Sequence, residues 1–83
     1  METNKNIIFR KEFDGSGLLF NPESGETFGL NPTSAFLWEQ FAAGKSEAEA
    51  FTELQKVCDN LPADASKLIA AFVVSLKEKK FLI

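Results

Sequence analysis

Two turn-forming segments near the start of the chain, DGSG (14–17) and NPESGE (21–26), constrain its fold more than any other feature. Asp and Gly accept positive φ at low cost, so the first segment favours a hairpin. Pro22 and Gly25 are typical turn residues in the second segment. The stretches around the turns, IIFRKEF (7–13), LLFN (18–21) and ETFGL (26–30), are short and largely apolar. Two tight turns in succession therefore predict an antiparallel meander of three strands.

The pattern then changes to one typical of helices. Asn31 is a good N-cap, and Pro32 suits the first position of a helix that Gly44 can end. Ser46 and Glu49 form a capping box that starts a second helix. The buried face of this second helix should hold Ala50 or Phe51, Leu54, Val57 and Cys58.

A third helix is predicted from about Pro62 or Ala63 to Lys79, and an apolar tail, FLI (81–83), follows it. The fold class is therefore α+β, with three antiparallel strands followed by three α-helices. We expect a single domain over residues 7–83, preceded by a flexible N-terminus at residues 1–6. In the first strand, Ile7, Phe9 and Phe13 should share one face. The predicted core comprises Phe28, Leu30, Trp38 (with some exposure allowed), Leu54, Ile69, Phe72 and Leu76.

The charge balance and the residue inventory exclude several functions. Nine Lys and Arg against twelve Asp and Glu give a net charge of −3, which argues against nucleic acid as a partner. The chain has no His and one Cys, so no nucleophile–base pair or metal site can be assembled. We therefore expect a non-catalytic protein without a cofactor. Cys58 is interpreted as a buried structural residue, and carboxylates such as Asp59 and Asp64 as solvated groups at helix ends.

The same inventory predicts where the protein resides. A single cysteine allows no disulfide within the chain, which fits a reducing compartment. The polar start, METNKN, does not lead into a signal peptide, and no apolar stretch approaches the ~20 residues of a membrane span. We expect a cytoplasmic protein that does not contact a membrane.

The third strand is the main candidate for a binding site. In a meander it has one free edge, whose unpaired N–H and C=O groups must be covered or used. The segment Glu26, Thr27, Phe28, Gly29, Leu30 contains no Lys or Pro to protect that edge, and Gly29 lets a partner approach closely. Either the chain's own tail or a helix covers the edge, or a peptide adds there as a further strand.

The third helix offers a second surface beside this strand. At 100° per residue, Ala65, Ile69, Phe72, Val73 and Leu76, with Leu68 as a further candidate, form a broad apolar arc that should face the core. The opposite arc is small and apolar at its centre, which lets another backbone come close. The predicted peptide-contacting residues of this arc are Lys67, Ala70, Ala71, Val74 and Glu78.

These segments together resemble the small PqqD-like proteins. The resemblance rests on FRKEFDGSGLLFNPESGETFGLNPTSAFLWEQFAAG (9–44), above all on Gly25, Phe28, Gly29, Leu30 and Asn31, with Trp38 and Gly44, and extends weakly through FVVSLKEKKFLI (72–83). It implies a winged-helix-like fold and a peptide chaperone. Such a chaperone binds the leader of a ribosomally made precursor peptide beside the third strand and presents it to a modifying enzyme, often a radical SAM enzyme. The chain has Leu68 where the family often has Asp, and Lys79-Lys80 where it often has Gly.

The hypothesis is thus leader binding at residues 26–30, with selectivity from the third helix: Lys67 could pair with an acidic leader residue, and Ala71 and Val74 could receive an apolar one. Two alternatives stay open: a winged-helix DNA-binding module, which the charge balance opposes, and an adaptor that binds a partner protein through an exposed helix. An open strand edge also allows a homodimer.

Overall fold

A three-stranded antiparallel sheet followed by three helices makes up the chain in our computed structural model, which describes residues 2–58 and 60–83. The elements are β1 (Ile8–Lys11), β2 (Gly17–Phe20), β3 (Thr27–Leu30), α1 (Pro32–Ala42), α2 (Glu47–Val57) and α3 (Ala65–Glu78). The strand order is β1-β2-β3, so β2 is central. This architecture confirms the predicted α+β fold of a meander followed by three helices.

The two turns form where the sequence places them. Gly15 and Gly25 have φ of 94° and 78°, a region that other residues enter only with strain. The Gly25 N–H also donates to the Asn21 C=O at 2.8 Å, which closes the second turn. One expectation is wrong: Phe13 is fully exposed instead of sharing a face with Ile7 and Phe9. The reason is that β1 ends at Lys11, which leaves Phe13 in the turn.

The helix starts follow from their caps. The Asn31 side chain accepts a hydrogen bond from the Ser34 N–H at 2.8 Å, and Ser46 and Glu49 form the reciprocal capping box. Helix α3 begins at Ala65, later than predicted, because the preceding residues form a turn in which the Ala65 N–H bonds to the Pro62 C=O at 3.1 Å.

The core lies between the inner face of the sheet and the three helices. The side chains of Leu19, Phe41, Leu76 and Phe81 are completely buried. The predicted core residues Leu30, Trp38, Leu54, Ile69 and Leu76 are buried, and Trp38 is only 4% exposed. Phe28 and Phe72 are partly buried at the edge of this cluster. Val57, the last residue of α2, is exposed, so its predicted place on the buried face is wrong.

The two ends of the chain meet. Residues 2–4, which the sequence predicts as part of a flexible N-terminus, lie beside the C-terminal tail, and Thr3 forms a bridge with Leu82. The Asn4 N–H donates to the Phe81 C=O at 2.9 Å. The tail turns back through Lys80, whose φ of 64° is the left-handed conformation that glycine adopts at lower cost. The domain limits 7–83 stay a prediction.

Candidate functional site

Strand β3 forms one edge of the sheet, and within residues 2–58 and 60–83 it pairs with β2 alone. The register of the two strands shows which residues of β3 bond to β2 and which direct their backbone groups outward. Asn21 lies opposite Glu26 at the end of the ladder, and its N–H donates to the Glu26 C=O at 2.9 Å. Bonded and non-bonded pairs alternate along an antiparallel ladder, so Phe28 and Leu30 bond to β2. Thr27 and Gly29 therefore direct their N–H and C=O groups outward.

The outer edge of β3 carries no further strand in the described part of the chain, and the face with Thr27 and Gly29 is open to solvent. A Cβ built on Gly29 would meet no atom within 4 Å, and Thr27 is exposed. The side chains of Phe28 and Leu30 point the other way, into the protein. A second strand could thus approach the outer edge of β3 without displacing any core side chain.

Helix α3 runs along this edge and forms the opposite wall. The rings of Phe28 and Phe72 make an edge contact with centroids 6.1 Å apart. Further along, Lys79 Nζ lies 3.3 Å from Glu26 Oε2. Residues four and seven positions apart share a helix face, so these contacts define which side of α3 faces β3. We call the space between the outer edge of β3 and this side of α3, formed by Leu68, Phe72, Ser75 and Lys79, the groove.

The α3 positions selected from the sequence lie around this groove rather than in it. At 100° per residue, Ala70 and Val74 each lie about 160° from Phe72, on the back of the helix. Lys67, Ala71 and Glu78 are exposed and lie on the outer rim, about 100–140° from Phe72. Peptide contact by these five residues stays a prediction. Residues 26–30, which the sequence also selected, do border the groove, whereas Val74 lies outside it.

The sequence pattern missed the groove-facing residues for a specific reason. The helical wheel places Leu68 and Phe72 at one border of the apolar arc, but it does not say which border meets the sheet. Leu68 is 56% exposed. The one signal available in the sequence was that Leu68 shares a helix face with Phe72 one turn later.

A cavity of about 470 Å³ lies at one end of the groove. Its walls come from the first two turns of α1, the end of α2, the residues that follow α2, and the first half of α3. Leu37, Leu54 and Ile69 form a buried part of the lining. None of the described residues that line it carries a charge. Cys58 lines this cavity and is partly buried rather than fully buried as the sequence predicted.

Among the described residues, two carboxyl groups have shifted pKa values, and both belong to local turns and caps. The Ser16 hydroxyl, which donates to the Asp14 carboxylate, lowers the pKa of Asp14. The Ser46 backbone N–H lowers the pKa of Glu49 in the capping box. Neither group lines the groove. Across the described ranges, no three His, Cys, Asp or Glu side chains lie close enough to hold a metal ion. Asp59, one of the carboxylates weighed above, lies outside the described residues.

None of the helices in the described part of the chain combines the length and apolar character needed to cross a membrane.

Comparisons with known proteins agree with this architecture. The family described as "Coenzyme PQQ synthesis protein D (PqqD)" matches residues 17–82. No curated protein matches the chain significantly. Among solved structures, TbiB1 in complex with the TbiA(beta) leader peptide is similar with a TM-score of 0.84, at 18% identity over 99% of this chain and 94% of its own. Lasso peptide synthetase B1 complexed with the leader peptide has a TM-score of 0.81, at 29% identity over 99% of this chain and 95% of its own.

Proposed function

Because the chain belongs to the PqqD family, we propose that it binds the leader of a ribosomally made precursor peptide as a fourth strand along the outer edge of β3. The carrying observation is the open edge itself: the outward N–H and C=O groups of Thr27 and Gly29 have no strand partner among the described residues. Two solved structures that resemble the chain are complexes with a leader peptide, which supports the proposal.

Strand addition divides the binding energy into two parts. Backbone hydrogen bonds to residues 26–30 supply affinity with little demand on the sequence of the leader. Selectivity comes from the side chains that meet the leader across the groove, first Leu68 and Phe72. Lys67, Ala71 and Glu78 are exposed on the outer rim of α3, and we expect them to meet side chains at the margins of the leader.

The proposed role is binding without catalysis. The chain has no His, and its one Cys lines an uncharged cavity without an adjacent base among the described residues. The loaded protein would present the leader to a separate enzyme that modifies or cleaves the precursor. The sequence resemblance favours a radical SAM enzyme, whereas the name of one structural relative favours an enzyme of lasso peptide synthesis.

Two matched variants of α3 test the location of the site. Leu68 and Val74 are similarly exposed, at 56% and 53%, on the same helix. Aspartate has a helix propensity close to that of Val and lower than that of Leu, but residue 68 lies near the N-terminus of α3, where a negative charge is favoured. The two variants should therefore differ in stability by less than about 0.5 kcal/mol. We expect Leu68→Asp to weaken leader binding about tenfold or more, because it replaces apolar groove surface with a charge. Val74→Asp should bind like the parent.

The assay is a calorimetric titration with synthetic leaders from the short reading frames that neighbour the gene, with duplex DNA as the negative control. Equal weakening by both variants would move the site to the back of α3, where the sequence pattern placed it. Binding of DNA alone would replace the proposal with the winged-helix alternative. Sedimentation of the unliganded protein, run alongside, would reveal a homodimer that occupies the β3 edge.

A further inference from the structure

We propose that the cavity at the end of the groove, whose described lining carries no charge, is an anchor pocket for one bulky, uncharged side chain of the bound peptide, either aromatic or branched aliphatic. The anchoring residue lies outside the segment that pairs with β3, beyond the position opposite Leu30. This inference rests on the proposed function, because it needs a peptide strand at β3 to deliver the side chain.

The cavity and the groove are continuous through two residues. Asn31 follows the last residue of β3 directly and lines the cavity. Phe72 also lines the cavity, and its ring contacts Phe28 in the middle of β3. A peptide that runs along the β3 edge past Leu30 therefore arrives at the mouth of the cavity.

The chemistry of the lining selects the class of side chain. Leu37, Leu54 and Ile69 are almost completely buried and offer an apolar interior. Thr33 and Asn60 are exposed and supply polar groups to the lining. A carboxylate or an ammonium group placed inside would lose its hydration without gaining an ion partner from the described lining. A volume of about 470 Å³ lies within the range of cavities that hold small organic molecules and has room for an aromatic ring.

The opposite end of the groove has a different character. There Glu26 and Lys79 form an ion pair of 3.3 Å that joins β3 to α3, and both side chains are about half exposed. The Glu26 end of the groove thus holds an ion pair, whereas the described lining of the cavity at the Asn31 end carries no charge. From this difference we expect the apolar anchor of the peptide to lie beyond Leu30, and a charged peptide residue to be accommodated near Glu26 and Lys79.

Cys58 provides a native reporter of this pocket. It is the single cysteine of the chain, and it lines the cavity while keeping partial exposure. Alkylation with N-ethylmaleimide therefore modifies one site, and a side chain seated in the cavity should shield that thiol. Amide shifts at residues 27–30 report strand pairing independently, so occupancy of the pocket and binding at β3 can be measured separately.

The experiment uses synthetic leaders from the short reading frames beside the gene, with each bulky apolar residue replaced in turn by Asp. We expect the parent leader to slow alkylation of Cys58 about tenfold, and one Asp replacement to restore the rate and weaken binding about 10- to 100-fold. An exchange of Leu for Phe at that same position should keep the protection. Saturating shifts at 27–30 with unchanged alkylation of Cys58 would overturn the pocket and leave strand pairing intact. The absence of both responses would overturn the proposed function, and the pocket with it.

A variant of the protein tests the same pocket from the other side. Thr33 is exposed in the first turn of α1, where an acidic residue favours the helix. Thr33→Asp should therefore fold while it places a charge in the pocket lining, and Thr33→Asn is the uncharged control. We expect Thr33→Asp, but not Thr33→Asn, to bind the parent leader about tenfold more weakly than the unmodified protein does. The leader whose anchor is already replaced by Asp should bind Thr33→Asp and the unmodified protein equally. Unchanged or tighter binding of the parent leader would contradict an uncharged anchor.

Discussion

Replacing Gly29 with proline removes one outward N–H from the β3 edge and should separate peptide binding from folding. Gly29 does not bond to β2 in the antiparallel ladder, so the change leaves the sheet's own hydrogen bonds in place. Proline is tolerated on an edge strand when its missing N–H faces solvent. The residue before it, Phe28, is already extended, as a residue before proline prefers.

The expected effect on binding follows from the cost of an unpaired group. A leader strand would place a C=O opposite the Gly29 N–H, and without that donor the C=O stays unsatisfied in the groove. Such a loss costs about 1–3 kcal/mol, which is roughly a 5- to 150-fold increase in Kd. The free energy of unfolding should stay within about 1 kcal/mol of the parent, because proline also restricts the unfolded chain.

Gly29→Ala is the matched control. It retains the N–H, and its Cβ would meet no atom within 4 Å, so its affinity for the leader should equal that of the parent. Binding is measured by calorimetry, and stability by urea titration of the fluorescence of Trp38, the single tryptophan. Parent-like affinity in a folded Gly29→Pro protein would refute strand addition at this edge.

Three further outcomes follow from the structure. Lys80→Gly should raise the free energy of unfolding by about 1 kcal/mol, because Lys80 has a φ of 64°; Lys80→Ala, which keeps a Cβ, should not, and urea titration distinguishes the two. Phe41→Ala should cost about 3–5 kcal/mol because the ring is fully buried, and Phe72→Ala should cost less because its ring is partly exposed; an equal cost would contradict the groove lining. Ser46 lowers the pKa of Glu49 in the folded state. The resulting contribution to stability is present near neutral pH and is lost as the pH falls through that lowered pKa. In thermal melts, the melting temperature of Glu49→Gln should therefore fall less on acidification than that of the parent.

Features that depend on neighbouring residues were the ones the sequence predicted well. The cap at Asn31 and the capping box at Ser46 need only residues within one helical turn, and both form as expected. The turn at Gly25 likewise depends on a local positive φ. Local chemistry of this kind is readable because no distant contact competes with it.

Features that depend on distant contacts were not readable. Whether Phe13 is buried depends on where β1 ends, and the alternation pattern alone continues past Lys11. The groove-facing side of α3 depends on the contact between Phe28 and Phe72, which are far apart in the sequence. The pairing of Thr3 with Leu82 joins the two ends of the chain and has no local signal at all.

The most direct test of the central claim is amide hydrogen exchange of β3 with and without a leader. If the leader adds as a strand at β3, protection from exchange should change at alternate residues. The Thr27 and Gly29 amides, which point outward, should gain protection when the leader binds. The Phe28 and Leu30 amides already bond to β2 and should change little. Saturable binding of a leader without added protection at Thr27 and Gly29 would contradict strand addition and place the peptide elsewhere on the protein.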